Sequence, residues 1–188
     1  TLNSPKRILE GYASRAYDQG VGRGIWFVSG ADIDKAAALA GSMTADRQAD
    51  IWSGIGLASC YAGPADEKVF IDGYRLAGPS GEWFAQGIGF ACSARMSDQS
   101  MPETICAAIR TLWDMEPEAL AALVEQLRQD NVTRTRSDRP RYEAWRHSVA
   151  AAFTQNIAGR RLSDAKGIPF PPEGEREAVP SETRSQST

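Results

Sequence analysis

The sequence predicts an all-α protein: stacked antiparallel helix pairs in an irregular, tetratricopeptide-like α-solenoid, followed by a disordered tail. Three observations carry this. From Asp32 onward, apolar residues recur at helical spacing with few interruptions. Gly63-Pro64 and Gly78-Pro79 read as helix terminators followed by a residue suited to opening the next helix. Gly54-Ile55-Gly56-Leu57-Ala58 is echoed by Gly87-Ile88-Gly89-Phe90-Ala91 at an offset of 33 residues, close to the period of tetratricopeptide helix pairs. The later signature positions of that repeat fit poorly, so an irregular array is expected.

Taken in order, residues 5 to 19 carry Ile8, Leu9, Tyr12 and Ala16 at helical spacing behind Pro5. Asp18 to Gly24 is expected to break that helix. Ile25-Trp26-Phe27-Val28 is then a buried strand or one buried turn of helix, and periodicity alone does not decide between them. Asp32 is a candidate N-cap for a helix bearing Ile33, Ala36, Ala37 and Ala40, and Thr44 for one bearing Ile51, Ile55, Ala58 and Ala62. Val69, Phe70 and Tyr74 mark the next helix, and Trp83 to Arg95 another. Ser100 and Glu103 have capping-box spacing ahead of Ile105, Ile109 and Leu112. Asp114 is a candidate cap for the helix of Leu120, Leu123, Val124 and Leu127. Tyr142, Trp145, Val149 and Phe153 define the last helix. The helical domain is therefore expected over residues 1–154. Residues 155–188, rich in Gly, Pro, Ser, Glu and Arg, read as a disordered tail.

Composition narrows the functional classes. The 188 residues are 42% hydrophobic and 24% charged, which fits an ordinary globular chain. A net charge of −3 gives no drive toward nucleic acid or anionic membrane, and no apolar run approaches the length of a bilayer span. No nucleic-acid-reading motif and no signal peptide is visible. The three cysteines, Cys60, Cys92 and Cys106, are odd in number and lack a CxxC spacing, so reduced thiols and a cytoplasmic setting are expected. His147 is the sole histidine, which argues against a zinc site; no metal and no cofactor is expected. The chain starts at Thr1 rather than Met, so a preceding N-terminal portion is expected.

Few residues suggest chemistry. Gly54, Gly56, Gly87 and Gly89 lie inside expected helices with no P-loop lysine, and each mid-helix glycine costs roughly 1 kcal/mol against alanine. Close helix–helix approach is the compensation expected. Gly20, Gly22 and Gly24 around Arg23 read as a tight turn, in preference to a loop presenting Arg23 to an anion. Asp46, Asp50, Asp66, Glu67 and Asp72 are spread along helices and read as solvated. Arg134, Arg136, Arg139, Arg141 and Arg146 read as a solvated basic connector. Cys60 and Cys92 read as small core residues. The five tryptophans are expected as wedges between helices or as the lining of an apolar cavity.

Three stretches resemble a known family. Tyr17 to Phe27 is similar to a "DQGxGRxxWF" signature, Asp46 to Ala58 to "RRADLWSGVGLA", and Tyr142 to Arg146 to "YExWR". All three belong to a bacterial family of enediyne biosynthesis proteins encoded beside enediyne-type polyketide synthases. The likeness spans about residues 12–150, with Gln48 where the family usually has Arg and Gly24 where it has Ala. Family members usually carry a further N-terminal half. No catalytic residue follows from the resemblance. Asp18, Arg23, Trp26, Arg47, Asp50 and Trp52 coincide with its motifs and are the candidate ligand- or partner-binding residues.

The expected function is therefore a helical binding or scaffold module of enediyne-type polyketide metabolism. Its ligand would be an apolar polyene intermediate, and its protein partner the polyketide synthase or another pathway protein. The alternative is an enzyme acting on a polyketide intermediate through a polar pocket around Arg23 and Asp50.

Overall fold

A computed structural model describes residues 11–63, 65–134 and 140–163, the side chains of 132–134 and 159–163 excepted. Among the described residues there are eight α-helices and no strand: α1 (Gly11–Val28), α2 (Ile33–Gly41), α3 (Ala45–Ala62), α4 (Glu67–Ala77), α5 (Gly81–Ser97), α6 (Glu103–Trp113), α7 (Pro117–Arg134) and α8 (Arg141–Ser163). A 3-10 turn, Gly78–Ser80, separates α4 from α5.

Local chemistry sets most helix ends. Asp32 accepts from the amides of Asp34 and Lys35, both at 3.1 Å, and opens α2. Asp66 accepts from the Val69 amide at 3.0 Å and opens α4. Thr44 stands at the N-cap of α3 without a side-chain bond. Gly78, at φ 52°, closes α4 in the left-handed half of backbone space that glycine enters most cheaply. Two expected caps are corrected. Ser100 does not cap α6; Pro102 holds that position, and Glu103 pairs with Arg110 at 2.8 Å instead. Asp114 ends α6 in a left-handed conformation, φ 54°, rather than opening α7. Pro64 and residues 1–10 lie outside the described residues. So does the expected tail from residue 164, while α8 runs to Ser163, past the boundary expected at residue 154.

The largest correction falls on α1. Asp18 to Gly24 is neither break nor turn, and Ile25 to Val28 is the last turn of the same helix. Packing overrides the poor helix propensity of three glycines. Ile25, Trp26 and Gly22 are buried, and a Cβ on Gly22 would stand 2.0 Å from the Ile51 carbonyl oxygen of α3.

α1, α3 and α5 form a row, with α7 against the far side of α5; α2, α4 and α6 form a second row beside it. Neighbours in the first row run in the same direction. Arg15 meets Asp50 and Gln19 meets Ser53; further along, Ser53 meets Gln86 and Cys60 meets Arg95. Glycine brings these backbones together. A Cβ would lie 2.0 Å from the Gln19 carbonyl oxygen if placed on Gly54, 2.1 Å from that of Phe84 on Gly56, and 2.1 Å from that of Ser53 on Gly87. Gly89 differs: its nearest neighbours are the side chains of Trp113 and Val124 at an ordinary 3.4 Å. Trp26, Ile51, Ile55, Phe84, Ile88 and Trp113 fill the core around these contacts. α8 crosses the row. Near its start Tyr142 meets Tyr12 and Gln19 of α1; toward its end Phe153 meets Tyr74 of α4 and Trp113 of α6.

Candidate functional site

Each row helix carries a Gly-x-Gly: Gly20-Val21-Gly22 in α1, Gly54-Ile55-Gly56 in α3 and Gly87-Ile88-Gly89 in α5. The residue before each is polar: Gln19, Ser53, Gln86. Because the helices are parallel and in register, these three align. Gln19 Nε2 donates to Ser53 Oγ at 2.9 Å, and Ser53 Oγ donates to Gln86 Oε1 at 2.7 Å. From α8, Tyr142 donates to Gln19 Oε1 at 3.0 Å. Burial is the main influence pushing the Tyr142 phenol above its ordinary pKa. Gln86 Nε2 is buried, with no hydrogen-bond partner among the described residues.

About one helical turn earlier lies a charged cluster. α1 supplies Arg15, α3 Asp50, and α8 Glu143, Arg146 and His147. Arg15 Nε donates to Asp50 Oδ2 at 3.2 Å, and its Nη1 pairs with Glu143. Arg146 Nη1 lies 2.8 Å from Asp50 Oδ1 and 3.2 Å from Glu143 Oε2. The first of these contacts falls outside hydrogen-bond geometry, so it acts as a bare charge pairing. His147 Nε2 stands 3.1 Å from Glu143 Oε1 and 3.5 Å from Arg15 Nη1. Trp83 of α5 lies beneath the cations, its ring 5.4 Å from the Arg146 guanidinium and 5.9 Å from that of Arg15. Asp50, Glu143 and Arg146 are buried, whereas Arg15 and His147 sit at the rim.

This arrangement pairs two carboxylates with two guanidiniums. A general acid or base needs a carboxylate directed at a substrate, and here both are directed at arginines. Ser53 bonds two amides, with no histidine on it. Burial raises the Cys92 thiol to about 12 and Cys60 further, so neither presents a thiolate near neutral pH. His147 contacts Glu143, Arg15 and Trp83, on a different part of the fold from the cysteines' own neighbours. Among the described residues no group of three or more His, Cys, Asp or Glu could hold a metal, and no helix is long and apolar enough to cross a membrane.

The residues singled out in the sequence separate into distinct places. Asp18 is buried and bound by Arg47 through Nη2 at 2.7 Å and Nε at 3.0 Å. Asp50 belongs to the charged cluster and is not the solvated helix-face residue expected; Asp46, Asp66 and Glu67 are exposed. Trp26 and Trp52 are core residues, and Trp52 Nε1 donates to Gln48 Oε1 at 3.1 Å. Arg23 is exposed and joins neither cluster. Arg146 is fully buried, which corrects the reading of a solvated basic connector; Arg141 is exposed, and the side chains of Arg134, Arg136 and Arg139 lie outside those described. The expectation missed Arg15, the polar ladder and the third Gly-x-Gly. The signal was present: Gly20 precedes Gly54 by 34 residues, and a polar residue precedes each copy.

A groove opens farther along the same face of α8, about three turns past the charged cluster. Tyr74, Pro79, Phe153 and Ile157 wall a volume of about 320 Å³, with Glu82 and Thr154 hydrogen-bonded at 2.8 Å along its edge.

These features define a class: an all-α protein built on a glycine-packed row of parallel helices and clasped by its last helix. The chain belongs to the DUF1702 family, proteins of unknown function, whose model matches residues 4–153. No curated protein and no solved structure matches it.

Proposed function

We propose that the chain is a helical binding module whose groove between α4, the 3-10 turn, α5 and α8 takes an apolar chain. The carrying observation is the groove itself. Its volume of about 320 Å³ falls at the lower end of small-ligand sites, and its walls are aromatic and aliphatic with one polar edge at Glu82–Thr154. The polar residues that would serve catalysis face one another beneath α8 instead. Arg23 points to solvent while Asp50 is held by Arg15 and Arg146, so an enzyme working through those two residues gains no geometric support.

The motif likeness to enediyne biosynthesis proteins supports a linear polyene, free or carried by a synthase, as the ligand, and the free thiols support a reducing cytoplasmic setting. The test is a titration with a conjugated polyene fatty acid, read by quenching of tryptophan fluorescence, since Trp113 lies 4.8 Å from Phe153 of the groove wall. Saturable quenching that Ile157→Arg abolishes is expected. Failure to saturate, together with no complex between the chain and a polyketide synthase, would overturn the reading.

A further inference from the structure

The glycine-packed row is closed at one end and open at the other. At the α5 end, Gly89 is covered by Trp113, Val124 and Val149. At the α1 end, Gly20 and Gly24 have nothing within 4 Å of where a Cβ would stand, among the described residues. Yet Gly20 is the register equivalent of Gly54 and Gly87, both of which receive a neighbouring backbone. Around it Tyr17 is 50% exposed, Phe27 58% and Val28 76%. At 100° per residue, Ala13, Tyr17, Gly20, Gly24 and Phe27 form one stripe on the outer face of α1, with Arg23 at its margin where it stays hydrated.

Between Tyr17 and Phe27 the stripe reads aromatic, Gly, Gly, aromatic in both directions; Ala13 has no counterpart within α1. Tyr17 stands three residues before Gly20, and Phe27 three residues after Gly24. A helix with that palindrome is complementary to itself when turned end for end, which is the requirement of a two-fold interface. We propose that α1 pairs with α1 of a second copy, antiparallel, across an axis passing near Gly22. Gly20 then lies against the partner's Gly24, which lets the backbones approach as they do within the row, and Tyr17 packs on the partner's Phe27. Continuity with the α1–α3 interface supports a helix as occupant, and the palindrome selects a second copy over an unrelated helix. The inference stands independently of the groove and its ligand.

Sedimentation velocity on the full chain, over about a hundredfold range of concentration, tests it. Wild type is expected to move toward twice the 20.4 kDa chain mass as concentration rises. The double variant Gly20→Leu, Gly24→Leu is expected to remain at the monomer mass with an unchanged helical circular dichroism spectrum and an equal or higher thermal midpoint, because both sites are open on the outside of a helix. Phe27→Glu is expected to weaken the dimer at least tenfold while leaving the fold intact. A monomer at every concentration overturns the proposal, whatever else α1 then binds. A dimer that persists in the double-leucine variant overturns it equally.

Discussion

Gln19 and Ser53 meet twice over: the Gln19 amide donates to Ser53 Oγ at 2.9 Å, and Gly54, next in the chain, packs directly on the Gln19 carbonyl. One contact depends on the other, because the hydrogen bond needs the short backbone spacing that glycine permits. Ser53→Ala leaves the Gln19 amide and Gln86 Oε1 without this partner in a buried seam, at a cost of roughly 1–3 kcal/mol. Urea denaturation measures it, and an unchanged midpoint would remove the ladder as a stabilising element.

Glycine substitution is expected to change sign with position. Gly54→Ala forces a methyl into the Gln19 carbonyl and is expected to destabilise by about 3 kcal/mol or more, since backbone on both sides has little room to relax. Gly20→Ala, two residues before Gly22 on an open face, is expected to stabilise by up to about 1 kcal/mol through helix propensity. Thermal denaturation of the two variants beside wild type decides this; equal effects would contradict close approach as the reason for glycine.

Removing one member of the charged cluster leaves its partners buried and unpaired. Arg146→Met is expected to destabilise by roughly 3–5 kcal/mol, and Asp50→Asn in the same background is expected to add less than it does alone. Additive losses in the double-mutant cycle would show that the two residues act independently.

Alkaline pH is expected to weaken the fold. Burial holds the Cys92 thiol at about 12, against 9.0 for the free group, and raises Tyr142 as well. A raised folded-state value means that the unfolded chain releases its proton first. The contribution is therefore complete below pH 9 and is lost as pH climbs toward 12. Urea midpoints falling above pH 9, less steeply in Cys92→Ala, are expected; a flat profile would remove the thiol from the account.

Much of this architecture was legible because it follows from local rules. Helical spacing located α2 to α8, Asp32 and Gly78 marked helix ends, and the echo of Gly54 in Gly87 pointed to close packing. α1 was misread because three glycines within five residues are poor helix formers, and what holds them helical is the backbone of α3, a non-local partner. The charged cluster was hidden for a related reason. Arg15 and Arg146 look like surface residues along their own helices; only the packing of α1 on α3 sets Arg15 against Asp50, and only the crossing of α8 brings Arg146 there. Asp18 and Arg47 coincide with the motifs, but that coincidence gave no sign that they bind each other.

The crossing of α8 also bears on how the chain reaches its structure. An open array of helix pairs frays from either end and tolerates the loss of terminal units. Here Arg15 contacts His147 across 132 positions of sequence, and Gln19 contacts Tyr142 across 123. Such long-range closure raises contact order, so folding is expected to be slower than for an open stack of equal length. Unfolding is expected to be all-or-none, and a chain cut before Arg141 is expected to unfold at a lower temperature as a whole, since Arg15, Gln19 and Asp50 lose their partners on α8.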